Sequence, residues 1–510
     1  MATPMSKSMG LMVSLGMLLI PGLNAPAAHA QMFSWSLSAD QGASQFNTAD
    51  APPASGLDSS GNFWFTYADC VGHPHWFTYK GTSMDNLVLQ STFDTQGTSG
   101  FAKPYGDDEY WLSGMWIDPD TQTWWGVVHV EFDYDKWGYN TGWKDHFRRI
   151  ALAKSTNQGG SWTLVGDIIT PNPKALISTT EYPGDNFYFG DGDPHLYVDS
   201  AHGYFYLYYM TKTLKKADAS QVGSENIMVA RAPISGKMAA GTWTKWYNGG
   251  WNQPGLLGTE SPITVGDTFQ VTWNPYLGQY LAIDNLAPGC FYTCPDLSTQ
   301  VWTQDWWGGT QIFAQTTGTN AISWYNWTAD TASTLNSMTT SNCFRLYSAN
   351  ANSVFNTKYM WVTLGNTTYT PPLNNSHYYQ IIDVNTGLAL AVKTASTTGG
   401  AQIVQATPGN GNEQQWTFAY QSSGFYYIIN RNSGLVLDIA APVLARGQNI
   451  VQSTLNASAT NQQWALEPTE NGYYKLYNRN TRVIGMAGSN AVIYDEYFGA
   501  TDQEFHFVQK

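Results

Sequence analysis

Charge is what this chain of 510 residues has least of. Only 12% of its side chains are Asp, Glu, Lys or Arg, and 38 acids against 24 bases leave a formal charge of −14. Nucleic acid and anionic membrane are recognised through basic patches. The sequence has none, so neither is expected as a partner. Cysteine is nearly as sparse. Cys70, Cys290, Cys294 and Cys343 show no Cys-x-x-Cys or paired-His spacing suited to zinc. They allow three disulfide pairings: Cys290 with Cys294 would staple one loop, and Cys70 with Cys343 would tie the start of a domain to its end. Spacing does not choose among them. Beyond the first thirty residues no apolar run approaches the ~18 residues of a membrane span. Helical periodicity is almost absent before residue 365.

What the chain does have is a leader, many aromatics and many amides. Residues 1–30 read as a secretory signal, with Lys7 as the only charge, an apolar run over 10–23 and Ala28-His29-Ala30 as cleavage site. A secreted, extracellular monomer beginning near Gln31 is expected. Aromatics make up 15% of the chain, with 22 Trp and 31 Tyr, alongside 48 Gly. Aromatic faces stack on sugar rings while Asn, Gln, Ser and Thr bond to hydroxyls. The expected partner is therefore a polysaccharide or oligosaccharide.

Short aromatic segments bounded by Gly, Asn, Asp and Pro recur at 62–67, 124–132, 204–210, 268–273, 280–283, 343–347 and 359–363, and each reads as a strand. Repeated sets of about four strands are the blades of a propeller, and residues 31–365 leave room for five. The rival architecture is a β-sandwich with long loops. Ser155-Thr156-Asn157-Gln158-Gly159-Gly160-Ser161-Trp162 resembles the Asp-box turn of sialidase-type propellers, with Asn157 in place of Asp and Ser161 in place of Thr. That resemblance implies architecture and no catalysis. A sialidase would also need clustered arginines, and Arg148, Arg149, Arg231 and Arg345 are too few and too scattered.

A polar, Pro-terminated stretch at 366–371 reads as a linker. After it a repeat appears: Tyr378-Tyr379-Gln380-Ile381-Ile382 is echoed at Tyr426-Tyr427-Ile428-Ile429 and at Tyr473-Tyr474-Lys475-Leu476. The repeats close on Gln414-Gln415-Trp416, Gln462-Gln463-Trp464 and Gln503-Glu504-Phe505. Residues 372–510 thus resemble the ricin B-type β-trefoil, in which the three closing aromatics pack at the pseudo-threefold axis. In that family an Asp and a downstream Asn hold the sugar. The second repeat keeps both, as Asp438 and Asn461. The first has Ala391 at the Asp position, and the third has no carboxylate there.

The fold class expected is all-β, a five-bladed β-propeller followed by a β-trefoil. Set beside a sugar-binding module, three carboxylates of the first domain gain meaning. Ala49-Asp50-Ala51-Pro52, Gly192-Asp193-Pro194 before a strand and Thr259-Glu260-Ser261-Pro262 resemble, in order, the carboxylate contexts of glycoside hydrolase family 43 and its relatives. Those are five-bladed arabinanases, arabinofuranosidases and β-xylosidases. The resemblance implies a glycoside hydrolase acting on arabinose- or xylose-containing polysaccharide by a two-carboxylate, inverting mechanism. It makes Asp50 the base, Glu260 the acid and Asp193 the carboxylate that tunes the acid.

Asp118 rivals Asp50, though Asp118-Pro119-Asp120-Thr121 has the composition of a type I turn, and Asp191 competes with Asp193. Trp116, Trp273 and His195 are the expected substrate-binding residues of the cavity, with Asp438 and Asn461 in the trefoil. Trp64, Trp124, Trp125, Trp306, Trp307 and Trp324 fit blade packing or stacking platforms equally, and His73, His75 and His129 are further cavity candidates. No cofactor and no metal ligand set is expected; a structural calcium is the one ion the resemblance allows. A non-catalytic carbohydrate-binding protein of two domains is the other function class.

Overall fold

Aromatic and β-branched side chains suit a pleated surface that buries alternate residues on each face. In this computed structural model the described residues are 33–38, 50–69, 74–96, 98, 101, 109–132, 146–171, 184–284, 290–305, 324–330, 338–349, 358–440, 444–469, 471–497 and 499–510. Residues 1–32, Cys70, His73, Trp306, Trp307 and the side chains of Cys290 and Trp324 lie outside them. Each aromatic segment singled out in the sequence forms a strand: Phe63–Ala68, Trp124–Phe132, Tyr204–Lys215, Phe269–Asn274, Gln279–Asp284, Cys343–Ala349 and Lys358–Gly365. Cys294 and Cys343 carry free thiols.

Among the described residues, five sheets precede residue 366. Four of them have four antiparallel strands, as propeller blades do. The third in chain order is larger, with seven strands built on Tyr204–Lys215 and Gln221–Pro233. Ser34–Leu37 completes the last sheet by pairing with Lys358–Gly365, Trp35 lying opposite Leu364. That pairing joins the two ends of the domain and covers an edge that would otherwise expose unpaired amides. Side chains tie the last sheet back to the first: Arg345 grips Asp85 through Nη1 at 2.6 Å and Nη2 at 2.8 Å, and the rings of Phe65 and Trp327 lie 5.4 Å apart.

The remaining strands, from Tyr379–Asp383 to Phe505–Gln509, form one twelve-stranded sheet with threefold repetition. Three single 3₁₀ turns, Asn412–Gln414, Thr460–Gln462 and Thr501–Gln503, each deliver a buried glutamine and then the closing aromatic. Trp416, Trp464 and Phe505 are fully buried. The indole N–H of Trp416 donates to Leu390 O at 3.0 Å, and that of Trp464 to Leu437 O at 3.1 Å. Gln414, Gln462 and Gln503 each accept from a backbone N–H and donate to a backbone carbonyl of the preceding loop. The repeated letters therefore report loop anchoring and axis packing.

The trefoil is docked on the propeller. Arg479 makes a two-point contact with Asp330, Nε to Oδ2 at 2.7 Å and Nη2 to Oδ1 at 3.1 Å, and Asp330 is 1% exposed. Arg482 Nη2 donates to Asp58 O at 2.6 Å, and Tyr497 OH to Asp120 at 3.0 Å. One apolar cluster runs through both parts, from Phe63, Phe65 and Trp327 to Trp416, Trp464 and Phe505. Breaking a buried ion pair strands the remaining charge at a cost of about 3–5 kcal/mol. Arg479→Ala should lower unfolding stability by that amount in urea denaturation, and Asp330→Asn on top of it should recover part; a loss below ~0.5 kcal/mol would show that the two parts do not brace each other.

Candidate active site

The segment Gly190–Asp193 joins two groups of ionisable side chains. Gly192–Asp199 is itself a strand, paired with Tyr204–Lys215 and broken by a bulge between Gly192 and His195. Asp193 sits in the bulge with φ of 50°. Bulges redirect a side chain out of the pleat, and Asp tolerates this left-handed conformation better than most residues. Gly190 and Gly192 are needed for space, since a Cβ on either would come within 2.3 Å of Arg148 O or 2.5 Å of Arg148 Cδ.

Arg148 is the centre of the first group. Its Nη1 meets Asp193 Oδ2 at 2.5 Å and its Nη2 meets Glu131 Oε1 at 2.9 Å. Glu131 faces Arg148 directly across the pair Trp124–Phe132 and Phe147–Ser155, and strand alternation places His129 on the same face as Glu131. His129 Nδ1 accepts the Asp193 backbone N–H at 2.7 Å, so its Nε2 carries the proton and donates to Glu131 Oε1 at 3.1 Å. His146 Nε2 lies 3.0 Å from the same oxygen. Tyr325 OH donates to Asp193 Oδ1 at 3.2 Å, and the Arg148 guanidinium lies 4.2 Å from the centre of the Phe189 ring.

These contacts fix charge unequally. Burial raises the pKa of Asp193 and Glu131, but Arg148 outweighs it for Asp193, and His146 with Arg148 outweighs it for Glu131; both fall below the usual carboxylate range. Asp50 lies within their field with no comparable cation. Burial first, then the charges of Glu131 and Asp193, push it up to about 8 against the opposing pull of Arg148. Asp267 is pushed up to about 7 by burial, Glu225 and Asp193. The structure thus brings Asp50 and Asp193 into one electrostatic unit, with Asp50 protonated at neutral pH and Asp193 ionised.

Glu260 belongs to the second group. Its Oε1 accepts from Tyr188 OH at 2.7 Å, and its Oε2 from Tyr209 OH at 2.7 Å and from Lys245 Nζ at 2.7 Å. Lys245, wholly buried, also reaches Asp191 Oδ2 at 3.0 Å and Thr170 O at 3.0 Å. Burial and the Glu260 charge raise the Asp191 pKa well above normal, while Lys245 and a hydrogen bond from Asp191 overcome burial to lower that of Glu260. Within this pair Asp191 keeps the proton and Glu260 is the anion. The direct partner of Glu260 is Asp191, not Asp193 as the sequence had suggested. The backbone joins the groups, because Asp191 N donates to Arg148 O at 3.1 Å.

The remaining expected residues divide. Trp116 lies seven residues from Glu109 along Glu109–Ile117, and Glu109 faces Glu131, so about 3.4 Å per residue puts the indole some 24 Å from the carboxylates. It packs against Phe205 with ring centres 4.9 Å apart. Trp273 is 5% exposed and packs edge-on to Tyr280 at 5.0 Å; it is blade core, not cavity wall. His195 is buried with Nε2 unpaired, and burial pushes its pKa down to about 3 despite Asp193, so it is neutral. It lines a small cavity with Ser113 and Gln270. Asp118 is the turn residue its composition suggests, accepting from Asp120 N, Thr121 Oγ1 and Lys237. Among the described residues no His, Cys, Asp or Glu group is arranged to hold a metal ion.

In the trefoil, Asp438 and Asn461 are brought together: Asn461 Nδ2 donates to Asp438 Oδ1, and Gln462 Nε2 to Oδ2 at 3.0 Å. Sequence reading missed Glu131, Lys245, Asp267 and the central role of Arg148. The available signal was His129-Val130-Glu131, two ionisable residues on one face of an otherwise apolar strand. A carboxyl whose pKa is raised in the fold makes the fold bind a proton more tightly than the unfolded chain does. The stability gained is full below about pH 4 and is lost as pH rises through about 8. Asp50→Asn should therefore be more stable than wild type above pH 8 by on the order of 6 kcal/mol, the gap closing toward pH 4. A gap that does not change with pH would contradict the assigned charge state.

A family model described as ricin-type beta-trefoil lectin domain-like matches residues 360–453 and 412–493. No curated protein matches the chain. Among solved structures, an exo-beta-1,3-galactanase from Clostridium thermocellum is similar at 16% identity, covering 93% of this chain and 100% of its own, with a TM-score of 0.36. A GH43 beta-1,3-galactosidase matches at 12% identity over 91% and 94%, with a TM-score of 0.33. A designed threefold-symmetric protein, ThreeFoil, matches at 32% identity over 26% of this chain and 97% of its own, with a TM-score of 0.25. With its three closing aromatics on one axis and its lobes in one twelve-stranded sheet, the C-terminal region is a ricin-type β-trefoil lectin domain, carried behind a propeller-like set of five sheets.

Proposed function

We propose that this protein is a secreted glycoside hydrolase that cleaves a polysaccharide with two carboxyl groups in opposite proton states, while the trefoil holds the same polymer. The observation that supports this most is the split within each of the two groups, where Asp50 keeps a proton and Asp193 does not, and Asp191 keeps one and Glu260 does not. Neighbouring titratable groups pushed apart in pKa are the mark of acid and base assignments. Hydrolysis with inversion needs a proton for the departing glycosidic oxygen and an anion to take one from water. In this reading Asp50 donates to the leaving oxygen as the C–O bond breaks. Glu260 accepts the proton of the water that attacks the anomeric carbon. Burial, and after it the charges of Glu131 and of Asp193 held by Arg148, keep Asp50 protonated. The expected roles of Asp50 and Glu260 are thereby exchanged. Asp267, pushed up to about 7 beside Asp193, is the second proton-holding carboxyl.

Arabinose- or xylose-containing polymers are the substrates the sequence resemblance implies, and the trefoil site at Asp438 and Asn461 would raise their local concentration. Sugar release should be assayed on arabinan, arabinoxylan, β-1,3-galactan and a β-linked glucan. Asp50→Asn and Glu260→Gln should each lower the rate about 10²- to 10⁴-fold. Wild-type activity should fall as pH rises through about 8, as Asp50 loses its proton. A wild-type rate in Asp50→Asn with loss in Asp267→Asn would move the acid to Asp267. Cleavage of none of the four polymers would leave the carbohydrate-binding reading in its place.

A further inference from the structure

The third lobe of the trefoil lacks the Asp of the sugar-binding pattern, yet it faces a cavity of about 160 Å³ between the two parts of the molecule. The propeller contributes Trp116 and Ser200 to the walls, and the trefoil contributes Tyr477, Thr481, Asp495 and Glu496. The pocket lies at the opposite end of the Glu109–Ile117 strand from Glu131, and so well away from the carboxylate site.

Two features separate this lobe from its siblings. In the first two lobes the hairpin turn ends on a glycine with positive φ, Gly387 at 68° and Gly434 at 70°. The third turn is one residue shorter, and Thr481 itself takes φ of 76°. A β-branched residue is strained there, and such strain persists where the surroundings over-determine it, as at ligand-binding positions. The second feature is unsatisfied polar chemistry. Thr481 Oγ1 is buried without a hydrogen-bond partner, and so is Asp495 Oδ2, although Asp495 Oδ1 is held by Arg482. Glu496 Oε1 lies 3.2 Å from Lys475 Nζ. Buried acceptors of this kind are ordinarily matched by something.

A partly exposed indole and a phenol beside an unpaired hydroxyl and a carboxylate oxygen form the recognition set for a sugar ring. Its C–H face packs on the aromatic surface and its hydroxyls donate to the acceptors. Sign of charge narrows the class. Asp495 and Glu496 repel an anionic sugar; the cations Arg482 and Lys475 are already committed to carboxylates and backbone carbonyls, and Arg446 Nη1 is held 4.0 Å from Asp495 Oδ2.

We propose that this junction pocket binds one neutral sugar unit, as a site separate from Asp438 and Asn461 and from the carboxylates. The proposal rests on the reading of the protein as one that handles polysaccharide. It is tested by calorimetric titration of the full chain carrying Asp438→Ala with D-galactose, L-arabinose and D-xylose, followed by Ser200→Trp, which fills the cavity, and Thr481→Gly, which removes the hydroxyl while relieving the backbone. At least one sugar should still bind, more than tenfold more weakly after either substitution, and Thr481→Gly should leave Tm equal or higher. Absence of binding in Asp438→Ala, or binding that neither substitution weakens, would overturn the pocket. Failure of the hydrolase reading shows separately, as intact polymer in the cleavage assay whatever the titration gives.

Discussion

A guanidinium buried among carboxylates governs the site. Arg148 is 9% exposed and meets Asp193 and Glu131 from two sides. A buried cation is tolerable only when paired and hydrogen-bonded, and the same holds for the anions around it. Local structure follows from that need. Glu131 and Arg148 occupy facing positions on adjacent strands, Gly190 and Gly192 leave room for the arginine, and the bulge turns Asp193 toward it. Each of those residues has a reason to be where it is that does not depend on the reaction.

The charge arithmetic then sets the proton. Arg148 stabilises the anions it touches and leaves Asp50, in the same negative field, to hold its proton. The same division recurs at Lys245, where Glu260 is the anion and Asp191 the acid. Twice, then, one buried cation separates a pair of neighbouring carboxyls into a charged and a neutral member. Such pairs titrate as units, so the substitutions at either cation should move both members.

How far this could be read from the sequence depended on periodicity and on contact range. Aromatic strands announce themselves over six or seven residues, and Phe63–Ala68 or Trp124–Phe132 were legible for that reason. The three closing aromatics were equally plain, because a repeat states its own register. Asp193 could be singled out from Gly, Pro and a following strand. Its partner could not, since Arg148 is distant in sequence and its basic neighbour Arg149, which pairs with Asp167 at 2.9 Å, looks identical in the chain. Trp116 and Trp273 lie away from the carboxylates, which the sequence does not show because a tryptophan's letters are the same at either end of a strand and in the core. Asp50 and Glu260 could be singled out by context, but which one keeps a proton depends on charges brought in by other strands. Docking of the trefoil through Arg479 and Asp330 had no local signal at all, and what reads as a linker in sequence joins two parts that share an apolar core.

One charge state, that of Asp50 beside an ionised Asp193, decides the proposed mechanism. Isotope-edited infrared titration of the Asp50 carboxyl, identified by difference against Asp50→Asn, measures it directly. A protonated carboxyl band should persist at neutral pH and disappear with a midpoint near 8. A band already lost by pH 5 would contradict the account.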